Sequence, residues 1–428
     1  MENSYLLIFA LLLGALASTV PVFMALFFTG TIGLVFLLGI DPQIVIEVLY
    51  RSMDKFALVV VLFFVLCGNI MTKGSIVEKL IKTANVMVGF LPGGLAMSGV
   101  LACGFFGAIS GSTVATVVAI GGFMIPALIE NQYEEKFSVG IMTTAPILGV
   151  IIPPSIAMIL YAMVSNDQLE ALFLTGFIPG VMIMAAMSLY AYLVCRKMGM
   201  KRRERPSLTE VMAVLKESIW ALLLPVLIFG GIYSGLFTAN EAAVVACFYA
   251  FFVEIAIHRD MKLMDIKQVV VSSAVTSSTL LIIVAGASVF GEYLTFEQIP
   301  GKIAAVVVDN IASPWVFLLA VNILLLFIGM FMDIISATLI LTPIFLPLLG
   351  KFGIDTMHFG LIMTINLGIG YCTPPLGVSL YISGATIDRD IVYVTRAVLP
   401  FLAIQIAILF VLTFWPDIVL LLPRLVYG

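Results

Sequence analysis

The sequence is poor in charge, in histidine and in any strand-like alternation. Only 11% of its 428 residues are Asp, Glu, Lys or Arg, against about a quarter in soluble globular proteins, and that shortage excludes an ordinary soluble domain. Histidine occurs twice, at His258 and His358. One lies in a loop and the other near the start of a span; a membrane enzyme would need a nucleophile–base pair or a metal cluster, and catalysis is not expected. The five cysteines, Cys67, Cys103, Cys195, Cys247 and Cys372, lie in or at the edge of apolar segments without ligand spacing. They read as small buried hydrophobes rather than a metal site. No period-two pattern of the barrel type is present. The N-terminus lacks a basic n-region, so the stretch from Tyr5 reads as a retained helix rather than a signal peptide. The net charge of −4 is spread over short loops and describes no patch, and a nucleic-acid partner is not expected.

What the chain has instead is long apolar runs. It is 62% hydrophobic, with a mean hydropathy of +1.19. Uncharged runs at Asn3–Ile40, Thr83–Ile129, Phe137–Asn166, Ala171–Cys195 and Ser218–Asn240 each exceed the roughly 20 residues that cross a bilayer as a helix. The class is an all-α polytopic membrane protein surrounded by lipid.

One pattern occurs twice. GAISGSTVATVV begins at Gly107 and is followed by LGVIIPPSIAMILY, from Leu148 to Tyr161. GMFMDIISATLI begins at Gly329 and is followed by IGYCTPPLGVSLY, from Ile369 to Tyr381. Gly107, Ala115 and Thr116 return as Gly329, Ala337 and Thr338; Gly149, Pro153 and Pro154 return as Gly370, Pro374 and Pro375. Each copy puts a small polar stretch first and a Gly-x-x-x-Pro-Pro break later, inside apolar surroundings. Paired segments interrupted by Gly and Pro in corresponding halves are the sequence mark of a secondary-transporter site.

In chain order, the pattern predicts spans at Tyr5–Ser18, Val22–Leu38 and Phe56–Met71, a charged loop over Asp41–Lys55, and an interfacial amphipathic segment at Lys73–Lys82. A helical hairpin over Gly93–Ile129 turns at Ser110–Thr113, and the span Phe137–Asn166 is broken at Gly149–Pro154. After Ala171–Cys195 comes RKMGMKRRER (Arg196–Arg205), the strongest cytoplasmic signal in the chain. The second half repeats the plan. Spans at Ser218–Leu236, Asn240–Ile257 and Gln268–Gly291 lead to an amphipathic Glu297–Asp309. A hairpin over Pro314–Gly350 turns near Met332–Ser336, a broken span covers Met357–Ser383, and the last span lies within Ala397–Leu421. Five crossings per half invert the second copy and leave both termini outside. Arg51 and Lys55 then fall on the outer face, which the charge rule does not favour. The expected division is 1–82 scaffold helices, 83–166 first transport half, 167–313 scaffold and linker helices, 314–388 second transport half and 389–428 C-terminal scaffold helix.

The chemistry is expected where the breaks meet the turns. Unwound backbone frees carbonyl oxygens, and hard cations such as sodium take oxygen ligands. The first copy offers Ser110, Gly111, Ser112 and Thr113 at its turn, with Gly149 and Pro153 at its break. The second offers Asp333 and Ser336, with Gly370, Thr373 and Pro374. Asp333 is the only formal charge between Asp309 and Lys351. An intramembrane carboxylate is expensive and points to an ion or gating role; the alternative is a cap on the following helix. Neither hairpin carries Lys or Arg. An anionic substrate would therefore meet helix N-termini and polar side chains, with Thr143, Thr144, Thr364 and Asn366 as candidates to line the same cavity.

SGSTVAT, IPPSIAMILYA, LTPIFLP, GIDTMHFG and GYCTPPLGVSLY together resemble the large membrane (M) subunit of tripartite ATP-independent periplasmic (TRAP) transporters, over nearly the whole chain. The resemblance implies an elevator-type secondary transporter in the bacterial inner membrane. It implies sodium coupling and no cofactor besides sodium ions. It further implies a small four-helix membrane (Q) subunit as partner and a periplasmic substrate-binding protein that delivers a carboxylate, with sialic acid favoured over C4-dicarboxylates. A stand-alone sodium-coupled carboxylate carrier and, after it, a channel are the alternatives.

Overall fold

The computed structural model describes residues 4–428 apart from residues 19, 56, 201–203, 312 and 376; the centre of the basic linker, at Arg202, therefore lies outside the described residues. All regular structure among them is helical, which lets a chain in lipid satisfy its backbone amides and carbonyls within each segment. Eight of the helices are long and apolar enough to cross a membrane, and we describe the chain as a multi-pass membrane protein.

The first half opens with α1 (Ser4–Ala17) and α2 (Val22–Thr31), the latter extended by a π-helical turn at Ile32–Leu37. Asp41–Lys55, expected as a loop, is largely the helix α3 (Pro42–Met53). The Asp41 side chain accepts the Gln43 amide, and Pro42 occupies the first turn where its missing N–H is not needed. Sequence reasoning discounted this helix because its charged face hid an amphipathic period. Then follow α4 (Ala57–Lys73) and α5 (Ile76–Val88). The latter is the expected amphipathic segment displaced toward the C-terminus, running to Val88 instead of ending at Lys82. Its first amides are held by a residue from the other half: buried Glu254 accepts from Ser75 N–H at 3.1 Å and from Ile76 N–H at 2.9 Å.

The first hairpin is α6 (Gly94–Ser110), then α7 (Thr113–Thr116), which runs through a π-turn into α8 (Gly122–Glu130). At 17 residues, α6 rises about 25 Å, and the chain reverses after it at Gly111 and Ser112. The first broken helix is α9 (Glu135–Thr144), a 3-10 turn at Ala145–Ile147, α10 (Leu148–Ile151) and, after the break, α11 (Ile156–Ser165). The half closes with α12 (Leu169–Lys197).

The second half runs α13 (Leu208–Tyr233), α14 (Ala239–Phe252), α15 (Leu263–Phe296) and the amphipathic α16 (Ile299–Asn310). Its hairpin is α17 (Pro314–Gly329) and α18 (Ile334–Phe352), and its broken helix is α19 (Thr356–Gly370) and α20 (Val378–Ile387). It ends with α21 (Ile391–Phe414) and α22 (Pro416–Tyr427). The halves interlock by exchange: α2 packs on α15, α14 packs on α4, α21 packs on α9, and α12 packs on α19. An inverted repeat related by an axis in the membrane plane produces this cross-pairing.

Close contact at two pairs of glycines seats each hairpin on its broken helix. A Cβ on Gly107 would stand 2.8 Å from the Gly149 Cα, and one on Gly329 would stand 3.1 Å from the Gly370 Cα. A side chain at these positions would drive backbone into backbone.

Candidate functional site

At the first tip, α6 ends on Gly111 in the left-handed region (φ 61°) and Ser112 is extended, so two residues reverse the chain. The Ser112 hydroxyl accepts the Ala115 amide at 3.4 Å, and its carbonyl accepts the Thr116 hydroxyl at 2.8 Å. The Gly111 carbonyl accepts the Ile156 amide at 3.3 Å, which ties the tip to the helix restarting after the first break. Ser110 and Thr116 hydroxyls lie 3.4 Å apart. The Thr113 hydroxyl is buried without a partner.

The second tip is built alike. Asp333 caps α18, accepting the Ser336 amide at 2.8 Å on Oδ2 and the Ser336 hydroxyl at 2.6 Å on Oδ1. The Ile334 amide donates to the Tyr371 hydroxyl at 3.1 Å, again joining tip to break. Thr373 returns its hydroxyl proton to the Ile369 carbonyl at 2.8 Å. In this copy Thr338 and Ser379 have buried hydroxyls without partners. The peptide bonds Pro153–Pro154 and Pro374–Pro375 are both cis.

The two tips face one cavity of about 500 Å³. Ser110, Gly111, Ser112, Thr113 and Asp333 line it from one side; Gly68, Asn69 and Thr72 of α4 and Thr276 of α15 line it from the other. Val65, Val118, Leu280 and Ile283 supply apolar wall. A pocket of this size with a few convergent polar groups in apolar surroundings is the usual form of a small-ligand site. The end of α6 and α4 meet closely at one point: a Cβ on Gly68 would stand 3.3 Å from the Ser110 Cβ.

The structure thus brings together all four first-turn residues and Asp333 at one cavity, with Ser336 directly bonded to Asp333. Gly149 and Gly370 sit behind the tips as packing surfaces. Pro153, Thr373 and Pro374 lie at the breaks and do not line the cavity. The four other candidates also lie off it. Thr143, Thr144 and Thr364 are buried and donate to the carbonyls of Val139, Gly140 and Gly360, at 2.7, 2.8 and 2.9 Å. Asn366 donates to the Asn322 side chain at 2.6 Å and to the Ile362 carbonyl at 2.9 Å, and its own Oδ1 is buried without a partner. Thr143 and Thr144 contribute backbone instead. Cys372 and Gln405 of the second half donate to the Thr143 and Thr144 carbonyls at 3.3 and 3.0 Å.

Sequence reasoning missed Asn69, Thr72, Thr276 and Tyr371. Asn69 donates to Ser273 on α15 at 2.8 Å, joining the two framing helices beside the cavity. The available signal was a lone Asn in an otherwise apolar span, and the hydroxyl-rich run SSAVTSST inside α15.

A membrane protein with duplicated hairpins and duplicated broken helices, whose tips converge on one small-molecule cavity, has the architecture of a secondary transporter. Residues 8–418 match the family model described as Tripartite ATP-independent periplasmic transporter, DctM component. The chain belongs to this family. It is 37% identical over 436 residues, covering 99% of both chains, to the C4-dicarboxylate TRAP transporter large permease protein DctM of Rhodobacter capsulatus. It is 33% identical over 416 residues, covering 97% of both, to the sialic acid TRAP transporter large permease protein SiaM of Vibrio cholerae. Among solved structures, the YdaH transporter of Alcanivorax borkumensis superposes with a TM-score of 0.63 at 14% identity, covering 88% of each chain, and shares the fold. The two permeases are named for transport.

Proposed function

We propose that this chain is the large permease subunit of a sodium-coupled importer of small carboxylates in a bacterial inner membrane, loaded by a periplasmic binding protein and completed by a small membrane subunit. The observation that carries the reading is the shared cavity. Both hairpin tips present polar atoms to it, and buried hydroxyls without partners, Thr113 beside one tip and Thr338 and Ser379 in the other repeat, are oxygen ligands of the kind a sodium ion takes. Ser110, Gly111, Ser112, Thr113 and Gly149 would form one ion site, and Asp333, Ser336, Gly370 and Thr373 the other. The substrate carboxylate would sit between Ser112, Asn69 and Thr276, where helix N-termini favour an anion.

The cavity lies between the hairpin layer and the framing helices α4 and α15, which supports movement of the former against the latter as a rigid body. The substrate is a small carboxylate. Sialic acid was the expectation from overall likeness, and the higher identity to a C4-dicarboxylate permease makes succinate the first compound to try. Liposomes containing the permease and its small subunit decide the matter. Uptake should require an inward sodium gradient and the loaded binding protein, and should ignore ATP. Equal uptake with potassium in place of sodium on both sides would overturn the coupling; uptake without the binding protein would favour a stand-alone carrier.

A further inference from the structure

A second cavity, of about 520 Å³, lies at the far end of the same path. Four elements contribute in order. On α4, Asn69 and Thr72 face the first cavity, Leu58, Val61 and Leu62 line a narrow gap, and Lys55, just before the helix, lines the second cavity. On α15 the order is Thr276, then Leu281 and Val284, then Ser288, Glu292 and Thr295. On α11 it is Ala157, Leu160, then Met163 and Val164. On α18 it is Ile335, then Leu339 and Pro343. The gap holds about 10 Å³, at the limit of one water. From Thr72 to Lys55 the helical rise amounts to roughly 25 Å, so the two cavities lie toward opposite ends of α4.

We propose that this second cavity is a capture site for a small organic carboxylate, held by Arg51 and Lys55 before it reaches the hairpin tips. The charge pattern carries the inference. Among the described residues that line the cavity, Arg51 and Lys55 are cationic and Glu292 is anionic, so the lining itself carries one positive charge in excess, with Glu47 outside it. Among the described residues Arg51 is paired with exposed Glu47 alone, at 3.5 Å, an exchangeable contact of little worth. Among the described residues Lys55 makes no ion pair. Arg51, in the last turn of α3, and Lys55, just before α4, stand at the end of α4 away from its junction with buried Glu254. Arginine and lysine together offer a forked and a point donor for a carboxylate. The volume fits a small organic anion. The inference rests on the carboxylate reading above only for the class of ligand.

The test is protection of a single reporter thiol. The five native cysteines are buried, so Thr295→Cys, at the rim, supplies the reactive group. The full-length protein in lipid nanodiscs, with both faces open, is labelled by a maleimide in the presence of succinate, N-acetylneuraminate or gluconate, with dimethyl succinate as the uncharged control. At least one carboxylate should slow labelling, and dimethyl succinate should not. Arg51→Gln with Lys55→Gln should raise the half-protecting concentration at least about tenfold, as loss of charge-assisted bonds does. The exchange Arg51→Lys with Lys55→Arg should retain protection, which controls for folding. No protection in the Thr295→Cys protein by any of the three carboxylates overturns the proposal, and so does equal protection in the double Gln variant, which would mean that an anion at the tips closes the cavity from a distance. Protection without sodium-driven uptake would sustain this site and remove the transport reading instead.

Discussion

Ser112 and Asp333 play the same part at the two hairpin tips, one residue out of the repeat's register. Each is the extended residue that caps the helix leaving a hairpin tip, and each accepts the amide three residues on, Ala115 in one copy and Ser336 in the other. The repeat is thus symmetric in backbone and asymmetric in charge. One tip is neutral and the other carries a carboxylate whose two oxygens are both engaged by Ser336, with lone pairs to spare.

That asymmetry separates two roles for Asp333. Asn caps a helix about as well as Asp, whereas Ala costs about 1 kcal/mol at such a position. If the charge serves the ion, Asp333→Asn should leave the protein folded, lower initial uptake sharply and move half-saturation by sodium to higher concentration. Asp333→Ala should be worse on both counts. An unchanged sodium curve for the Asn variant would make Asp333 a cap alone.

The glycine seats should be intolerant of a methyl group. A Cβ on Gly149 would stand 2.6 Å from the Thr116 hydroxyl and 2.7 Å from the Ser112 carbonyl oxygen. Gly149→Ala should destabilise the protein by about 1–3 kcal/mol, the range for overpacking, and lower its thermal transition in detergent. Gly122→Ala, where nothing lies within 4 Å, should leave the transition in place or raise it slightly.

Gly68 is where a framing helix touches a tip. Replacement by Leu would fill the space against Ser110 without disturbing the packing behind the hairpins. Uptake should fall at least tenfold with little change in thermal transition. Normal uptake by Gly68→Leu would show that the tips do not slide past α4 at this point.

The inverted arrangement predicts which face each loop meets. In sealed right-side-out vesicles, a cysteine at Asn310 should react with an impermeant maleimide, and one at Arg202 should react only after permeabilisation. Reaction of both from one side would exclude the topology.

Much of this was legible in the sequence, because the features concerned are local. A Pro-Pro pair breaks a helix wherever it falls, and SGST between apolar arms turns a chain, so both tips and both breaks could be placed within a few residues. The helix α3 was not legible, because charged residues on one face of a short amphipathic helix look like a loop when the period is not weighed. Nor were the far-side lining residues. Asn69 and Thr276 owe their place to the packing of α4 against α15, which no spacing in the chain encodes. Thr143 and Thr144 were found for their hydroxyls, but it is their carbonyls that link to Cys372 and Gln405.

Those links cross the midpoint of the chain repeatedly. The Tyr161 hydroxyl reaches the Thr356 carbonyl at 2.7 Å, the Thr356 hydroxyl reaches Asp167 at 2.6 Å, and Arg389 grips Glu135 through both ends of its fork, at 2.7 and 3.1 Å. Stitched at both ends and in the middle, the two broken helices behave as one stiff plank whose boards come from distant stretches of sequence. The seam between the repeats, so plain when the residues are written out in a line, is therefore not a joint, and bending is left to the connections around it.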